Sequence, residues 1–216
     1  MADTPTASWR IARHLLDIDA VRLAPDDPFT WSSGLQAPIY CDNRLTMAHP
    51  SVRRAIAQAF AETVRDAEWR ADVIAGTATA GIPHAAWLAE RLDRPMAYVR
   101  SAAKGHGRQN RIEGRVASGQ SVVVVEDLIS TGQSAHAAAS ALQAQGAVVE
   151  GLLAIFTYEL EAATARFAEA PFSVHPLTTL GTLVRVARER GDLSASQRKA
   201  LAAWRTDPEG WAAARA

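Results

Sequence analysis

The 216-residue chain holds one cysteine, Cys41, and only two lysines, Lys104 and Lys199. A single cysteine excludes an internal disulfide and a multi-cysteine metal site, and it suits a reducing compartment, so a cytoplasmic location is expected. An excess of either charge is also missing. The 23 basic and 23 acidic residues cancel, leaving no global field to draw nucleic acid or an anionic membrane. Neither partner is expected, and any basic function must be local. No apolar run approaches the roughly eighteen residues of a membrane span. The start, Met1-Ala2-Asp3-Thr4-Pro5, lacks the basic and apolar regions of a signal peptide. There is no Gly-Lys-Ser/Thr, which excludes a Walker A loop.

What is present is an alternation of strand-like and helix-like runs. Helical spacing covers 8–19, with Ser8 as its N-cap, and 51–68, where Val52, Ile56, Phe60 and Val64 share a face. Strands are expected at 39–41, 72–75, 96–100, 122–125, 148–157 and 172–177. Helices are expected at 83–91, 135–145, near 160–169, at 179–190 and at 195–205. Such alternation predicts an α/β fold with a mainly parallel central sheet flanked by helices. Residues 1–216 read as a single domain: an N-terminal helix and small hood over about 1–50, a core over 51–190 and a helical tail over 191–216.

Four segments carry chemistry. The most informative is Val122-Val123-Val124-Val125-Glu126-Asp127-Leu128-Ile129-Ser130-Thr131-Gly132-Gln133-Ser134. Four β-branched residues read as a strand buried on both faces, with an acid pair where it should end. Ligands of open α/β sheets bind at the carboxyl ends of strands. The turn that follows offers hydroxyls, a glycine and the unpaired N–H groups of a helix start, which suit a phosphate. Glu126 and Asp127 could bind a metal or accept hydrogen bonds from two neighbouring sugar hydroxyls. Gln133 is expected to point outward.

The second segment, Ala75-Gly76-Thr77-Ala78-Thr79-Ala80-Gly81-Ile82-Pro83, links a strand to a helix at the same sheet edge. Its small side chains expose backbone N–H groups, as a pyrophosphate needs; a plain tight loop competes with that reading. The third, residues 100–111, gathers Arg100, Lys104, His106, Arg108 and Arg111 around two glycines. It could close over an anionic substrate or be a solvated basic loop. The fourth, Phe29–Arg44, mixes aromatic, small and amide side chains that could cover a planar heterocycle or simply pack a corner. His14, His49, His84, His136 and His175 show no metal-ligand spacing and read as structural. Cys41 has no evident activating partner.

In this order, the four segments resemble the type I phosphoribosyltransferases, and within them the branch acting on orotate. The resemblance runs from about residue 10 to 160, and the tail residues Leu201, Trp204, Asp207-Pro208 and Trp211 are similar to one subtype. It implies the type I phosphoribosyltransferase fold and transfer of ribose 5-phosphate from phosphoribosyl pyrophosphate to N1 of orotate. Orotidine 5′-monophosphate and pyrophosphate would be the products, in pyrimidine biosynthesis. Mg²⁺ would be required, held mainly through substrate and water with no direct protein ligand.

By the same resemblance, Glu126 and Asp127 hold the ribose hydroxyls. Leu128, Ile129, Ser130, Thr131, Gly132, Gln133 and Ser134 complete the ribose 5-phosphate site, and Ser130 also contacts orotate. The backbone of Thr77, Ala78, Thr79, Ala80 and Gly81 faces the pyrophosphate. Arg100, Lys104 and His106 approach it too, with Lys104, His106 and Asp127 as the catalytic set. The loop carrying Lys104 would reach a neighbouring subunit's site, which implies a homodimer with shared active sites. Two departures stand out. A second lysine that some members carry after the arginine is replaced by Ser101 and Ala102, with Arg108 as a substitute. A lysine found in some hoods is Ser32.

Overall fold

A computed structural model describes residues 6–31, 33–102 and 111–215. Helix α1 (Ala7–Asp17) precedes a hood of four short strands, β1 (Val21–Leu23), β2 (Phe29–Thr30), β3 (Gln36–Ala37) and β4 (Ile39–Cys41). They pair antiparallel as β1 with β4 and β2 with β3. A 3-10 helix, Asn43–Ala48, connects the hood to α2 (Pro50–Asp66). The alternating part follows: β5 (Val73–Thr77), α3 (Gly81–Leu92), β6 (Met96–Val99), β7 (Ile112–Glu113), β8 (Ser121–Ile129) and α4 (Gln133–Ala144). It continues with β9 (Val148–Thr157), α5 (Glu161–Phe167), β10 (Ser173–Thr179) and α6 (Leu180–Glu189). The tail forms α7 (Ala195–Thr206) and α8 (Pro208–Ala213).

Six strands make one sheet in the order β10-β9-β8-β5-β6-β7, parallel throughout except for β7. Strand β8 lies between β5 and β9, and its valines show why the run contains no polar residue. Val122 and Val124 face the layer that holds α4 and α5, while Val123 and Val125 face the layer of α1, α2, α3 and α6. All four are fully buried. The Ala-rich face of α4 (Ala135, Ala138, Ala139) lets that helix lie close to the sheet.

Two local expectations need correction. The cap of α1 is Thr6, whose hydroxyl accepts from Trp9 N at 3.3 Å. Ser8 lies inside the helix and its Oγ donates to Thr178 at 3.2 Å, tying α1 to β10. The second concerns the end of β8. The strand continues through the acids to Ile129 because β9 runs on beside it, pairing Leu128 with Phe156 and Ile129 with Thr157. On its other side the ladder with β5 stops at Val125. The sequence expectation therefore holds for one neighbour and fails for the other, and the open flank is where the site forms.

Candidate active site

Beyond Val125 the flank of β8 that faces β5 is unpaired, and the chain after Thr77 turns away into the loop 78–80. A cavity of about 370 Å³ opens between them. Glu126, Asp127, Leu128 and Ser134 line one side, Ala78, Thr79 and Ala80 another, and Cys41, Asp42 and Arg44 of the hood a third. The acid pair and the small-residue loop, far apart in sequence, thus share one space.

Glu126 is 5 % exposed, and its Oε1 accepts the N–H of Asp127 at 3.0 Å. Burial, and then the adjacent Asp127, push its carboxyl up to about 9. Burial also raises Asp127. Two neighbouring carboxyls in a confined polar site resist ionising together. Such a pair is suited to meet hydroxyl groups or positive charge supplied by a ligand. The backbone under Asp127 is held by the hood: Asn43 Nδ2 donates to Asp127 O at 2.6 Å. Thr46 Oγ1 donates to Asn43 O at 2.5 Å and lies 3.3 Å from His84 Nε2. With the Thr46 proton committed to Asn43, His84 Nε2 must be the donor to Thr46. Burial lowers the pKa of the ring to about 4, and its buried Nδ1 has no hydrogen-bond partner among the described residues, so the ring is held neutral. A chain of hydrogen bonds thus runs from α3 through the hood to the acid pair.

The turn 130–134 is shaped by Gly132, whose φ is +74°. A Cβ there would come within 2.5 Å of the Phe167 ring, so both backbone conformation and space call for glycine. Arg166 Nε donates to Thr131 O at 2.8 Å, fixing the turn from α5. Gln133 is exposed, as expected. In the loop before α3, the Ala78–Thr79 peptide is cis, and Gly81 packs directly on the carbonyl of Val125. One expected donor is already used: Ala78 N–H bonds Val99 O at 2.9 Å. The available N–H groups of this loop therefore lie after Ala78.

Arg100 follows β6, its N–H bonded to Arg111 O at 2.8 Å. Its Nη1 sits 3.6 Å from Glu113 Oε1, placing the guanidinium at the sheet edge beside β7. Lys104, His106, Arg108 and Ser32 lie outside the described residues. Cys41 is buried and its thiol is pushed well up, first by burial and then by the nearby carboxylates of Asp127 and Asp42. It is packed, not poised as a nucleophile.

A second cavity, of about 780 Å³, adjoins the first. It lies between the hood (Trp31, Tyr40), the turn after β8 (Ser130, Thr131) and the tail (Arg205, Asp207). Trp31, Tyr158 and Trp204 form a cluster at its wall, with ring centroids 5.2–5.5 Å apart. Trp31 Nε1 donates to Ile39 O at 3.1 Å. Gln197 Nε2, on α7, donates to Asp26 Oδ2 at 2.6 Å and ties the tail to the hood. The aromatic segment 29–44 thus does both things read from it: it packs a corner and it walls a cavity. Tyr158 had no signal in the sequence, and although Asn43 and the tail lie in segments singled out there, the bond of Asn43 to Asp127 and the tail's place in that wall depend on contacts spanning tens of residues.

Sheet order, acid pair, hydroxyl turn and small-residue loop together define a type I phosphoribosyltransferase fold. A family model described as a phosphoribosyl transferase domain matches residues 47–158. An orotate phosphoribosyltransferase of Halalkalibacterium halodurans is 54 % identical over 198 residues, covering 92 % of this chain and 94 % of that one. One from Enterococcus faecalis is 52 % identical over 202 residues, covering 94 % and 96 %. Among solved structures, the orotate phosphoribosyltransferase of Aeropyrum pernix superposes with a TM-score of 0.73 at 30 % identity, covering 85 % of this chain and 99 % of that one. The UMP synthase of Leishmania donovani gives 0.77 at 27 % identity over 92 % of this chain, which spans 42 % of that longer protein. The chain belongs to the orotate phosphoribosyltransferase family.

Proposed function

We propose that this chain transfers the ribose 5-phosphate group of phosphoribosyl pyrophosphate to N1 of orotate, giving orotidine 5′-monophosphate and pyrophosphate, and that residues 1–216 act as one catalytic domain. The observation that carries this reading is the convergence of the acid pair, the hydroxyl turn and the loop 78–80 on one cavity. A ribose carrying phosphate at one end and pyrophosphate at the other has groups to match all three. Glu126 and Asp127 accept from the ribose hydroxyls. The turn 130–134 receives the 5-phosphate at the start of α4, where N–H groups and the helix dipole favour an anion. The backbone of 79–81 faces the pyrophosphate. Orotate enters from the larger cavity, whose wall includes Ser130.

As the bond from C1 of the ribose to pyrophosphate breaks, positive charge grows on the sugar and negative charge on the leaving group. Catalysis then consists of holding the reactants and stabilising that departing charge. Arg100, Lys104 and His106 supply cations toward the pyrophosphate. Resemblance supports placing Lys104 and His106 in the site of a second copy of the chain, so the working form is a homodimer. A divalent ion fits as a companion of the substrate. Of the three carboxyls lining the cavity, Asp42 is already bonded to Arg44. Among the described residues no group of three or more His, Cys, Asp or Glu is placed to hold a metal ion, which leaves too few ligands for an all-protein cage. Bound through substrate oxygens and water, Mg²⁺ would offset charge on the pyrophosphate. Leucines and alanines, by contrast, cannot; that task falls to the polar groups named above.

Orotate consumption followed spectrophotometrically, with phosphoribosyl pyrophosphate and with or without Mg²⁺, tests the reading. Uracil, hypoxanthine and adenine are run in parallel. Turnover of orotate alone, lost on removing Mg²⁺, is expected; turnover of a purine and none of orotate would overturn it.

A further inference from the structure

The smaller cavity has three carboxyls in its wall, those of Asp42, Glu126 and Asp127. Among the described residues its only cationic side chain is Arg44. That arginine is held in a fixed attitude. Asp42 Oδ1 accepts from Arg44 N at 3.1 Å and from Nε at 2.6 Å, while Oδ2 accepts from Nη2 at 2.8 Å. An exposed ion pair ordinarily contributes little to stability, and the Arg44 side chain is 61 % exposed. Its two guanidinium bonds to one carboxylate are better understood as aiming the group, whose planar fork keeps donors for a second anion.

The direction of that aim separates two roles. The chain leaving β4 divides between the cavities: Tyr40 lines the base-side space, while Asp42 and Arg44 line only the space shared with Ala78–Ala80 and the acid pair. The 5-phosphate end already has the helix start and the hydroxyls of 130–134. The pyrophosphate end has a neutral backbone loop, one of whose N–H groups is taken by Val99. The positions after Arg100 that could have carried another cation are Ser101 and Ala102. Beside the cations proposed above for the pyrophosphate, this wall of the cavity offers two linked phosphates one further positive charge, that of Arg44, which stands across from the loop.

We infer that Arg44, aimed by Asp42, binds the pyrophosphate group of the substrate and of the product. The inference rests on the phosphoribosyl-transfer reading above and deepens it. Asp42 caps the 3-10 helix through the Arg44 N–H, but the Arg44 guanidinium is exposed and, among the described residues, bonds only Asp42.

The test uses the full-length chain with Mg²⁺, comparing wild type, Arg44→Ala and Arg44→Lys. Calorimetry measures affinity for inorganic pyrophosphate and, separately, for ribose 5-phosphate; steady-state kinetics give KM for each substrate. We expect Arg44→Ala to weaken pyrophosphate binding roughly 10- to 100-fold, the scale of losing a hydrogen bond to a charged group, and to raise KM for phosphoribosyl pyrophosphate. Ribose 5-phosphate affinity and KM for orotate should stay within about twofold. Arg44→Lys should recover part of the loss, since charge returns without the fork. Unchanged pyrophosphate affinity in Arg44→Ala overturns the inference, as does a rise confined to the orotate KM. Should Arg44→Ala lose ribose 5-phosphate binding as well, Arg44→Lys decides: normal ribose 5-phosphate binding with weakened pyrophosphate binding supports the role, and normal binding of both removes it. A wild-type chain that turns over no orotate and binds neither phosphate ligand would instead overturn the proposed function itself.

Discussion

The side of the cleft proposed to hold the phosphoribosyl group is made from three short runs of chain, 42–44, 77–81 and 126–134, two of which hang directly on neighbouring strands of the sheet. The side proposed for the base draws on Trp31, Tyr40, Ser130, Tyr158 and residues 205–209, gathered from the hood, the sheet and the tail. The first takes its geometry from a fully buried ladder, the second from aromatic packing between segments far apart in sequence. The two sides should therefore fail differently. Damage to the sheet edge should cost the sugar-phosphate grip, whereas damage to the aromatic cluster should cost selection of the base and stability together.

The largest effect we expect is from Gly81→Ala. Its Cβ would overlap the Val125 carbonyl, a backbone atom in the middle of the sheet, and would crowd Glu126 Cα at 3.4 Å. Loop and acid pair would have to separate, and displacements of about an ångström at a reacting centre can cost on the order of 100-fold in rate. Turnover should fall by at least that factor, with affinity for phosphoribosyl pyrophosphate falling alongside. A nearly normal rate would show that the sheet edge is more yielding than its burial implies.

Next comes Trp204→Ala, on the other side of the comparison. Trp204 is fully buried against Trp31 and Tyr158, and deleting such a ring costs about 3–5 kcal/mol. Melting temperature should drop, and in the protein that remains folded KM for orotate should rise more than KM for phosphoribosyl pyrophosphate. Equal rises would erase the distinction between the two sides.

A smaller effect should follow Asn43→Ala, which removes the hood's grip on Asp127 O. An unsatisfied buried carbonyl costs about 1–3 kcal/mol. Here the affected parameter should be KM for phosphoribosyl pyrophosphate, by roughly tenfold, while orotate is little affected. Equal KM changes for both substrates would assign Asn43 to general stability.

The subtlest test is the pH dependence of the ligand-free chain. The carboxyl of Glu126, raised from 4.5 to about 9, keeps its proton more firmly folded than unfolded. Its contribution is thus greatest at low pH and is lost as pH rises toward 9, at no more than about 1.4 kcal/mol per unit. His84, lowered from 6.5 to about 4, acts in the opposite sense, favouring the folded state as pH rises to 6.5. Between pH 6.5 and about 8 the acid pair leads the trend, and above that the raised Cys41 thiol adds a decline of the same sign. Melting temperature should decline across that window in wild type and decline less in Glu126→Gln. A flat wild-type profile would place the acid pair in a far wetter setting than its burial indicates.

Most of the alternating elements were legible because periodicity reports burial. The run 148–157 is strand β9 with the expected limits, and Ile39–Cys41 is strand β4. The two-residue strands β2, β3 and β7 were not legible, since so short a pairing leaves no periodic trace. Ser8 misled as a cap because Thr6, two residues earlier, has the same chemistry, and only the geometry of the first turn distinguishes them. Glu126, Asp127 and the turn after them were visible as a contiguous motif. Asn43 was not, because an amide in a loop says nothing until the carbonyl 84 residues away is beside it.

By itself the sequence determined the alternation of strands and helices, the buried central strand, and the acid-hydroxyl-glycine run that marks a sugar-phosphate site. Those depend on neighbours along the chain, where residue type and spacing suffice. Only the tertiary structure decided that β8 continues past its acids on one side and stops on the other, opening the cavity there. It also decided that Arg44 reaches that cavity, and that the tail walls the larger cavity with 205–209 while Trp204 packs on Trp31 and Tyr158 behind it. These follow from which strand runs longer beside β8 and from aromatic contacts across more than 100 residues, quantities that no local pattern encodes.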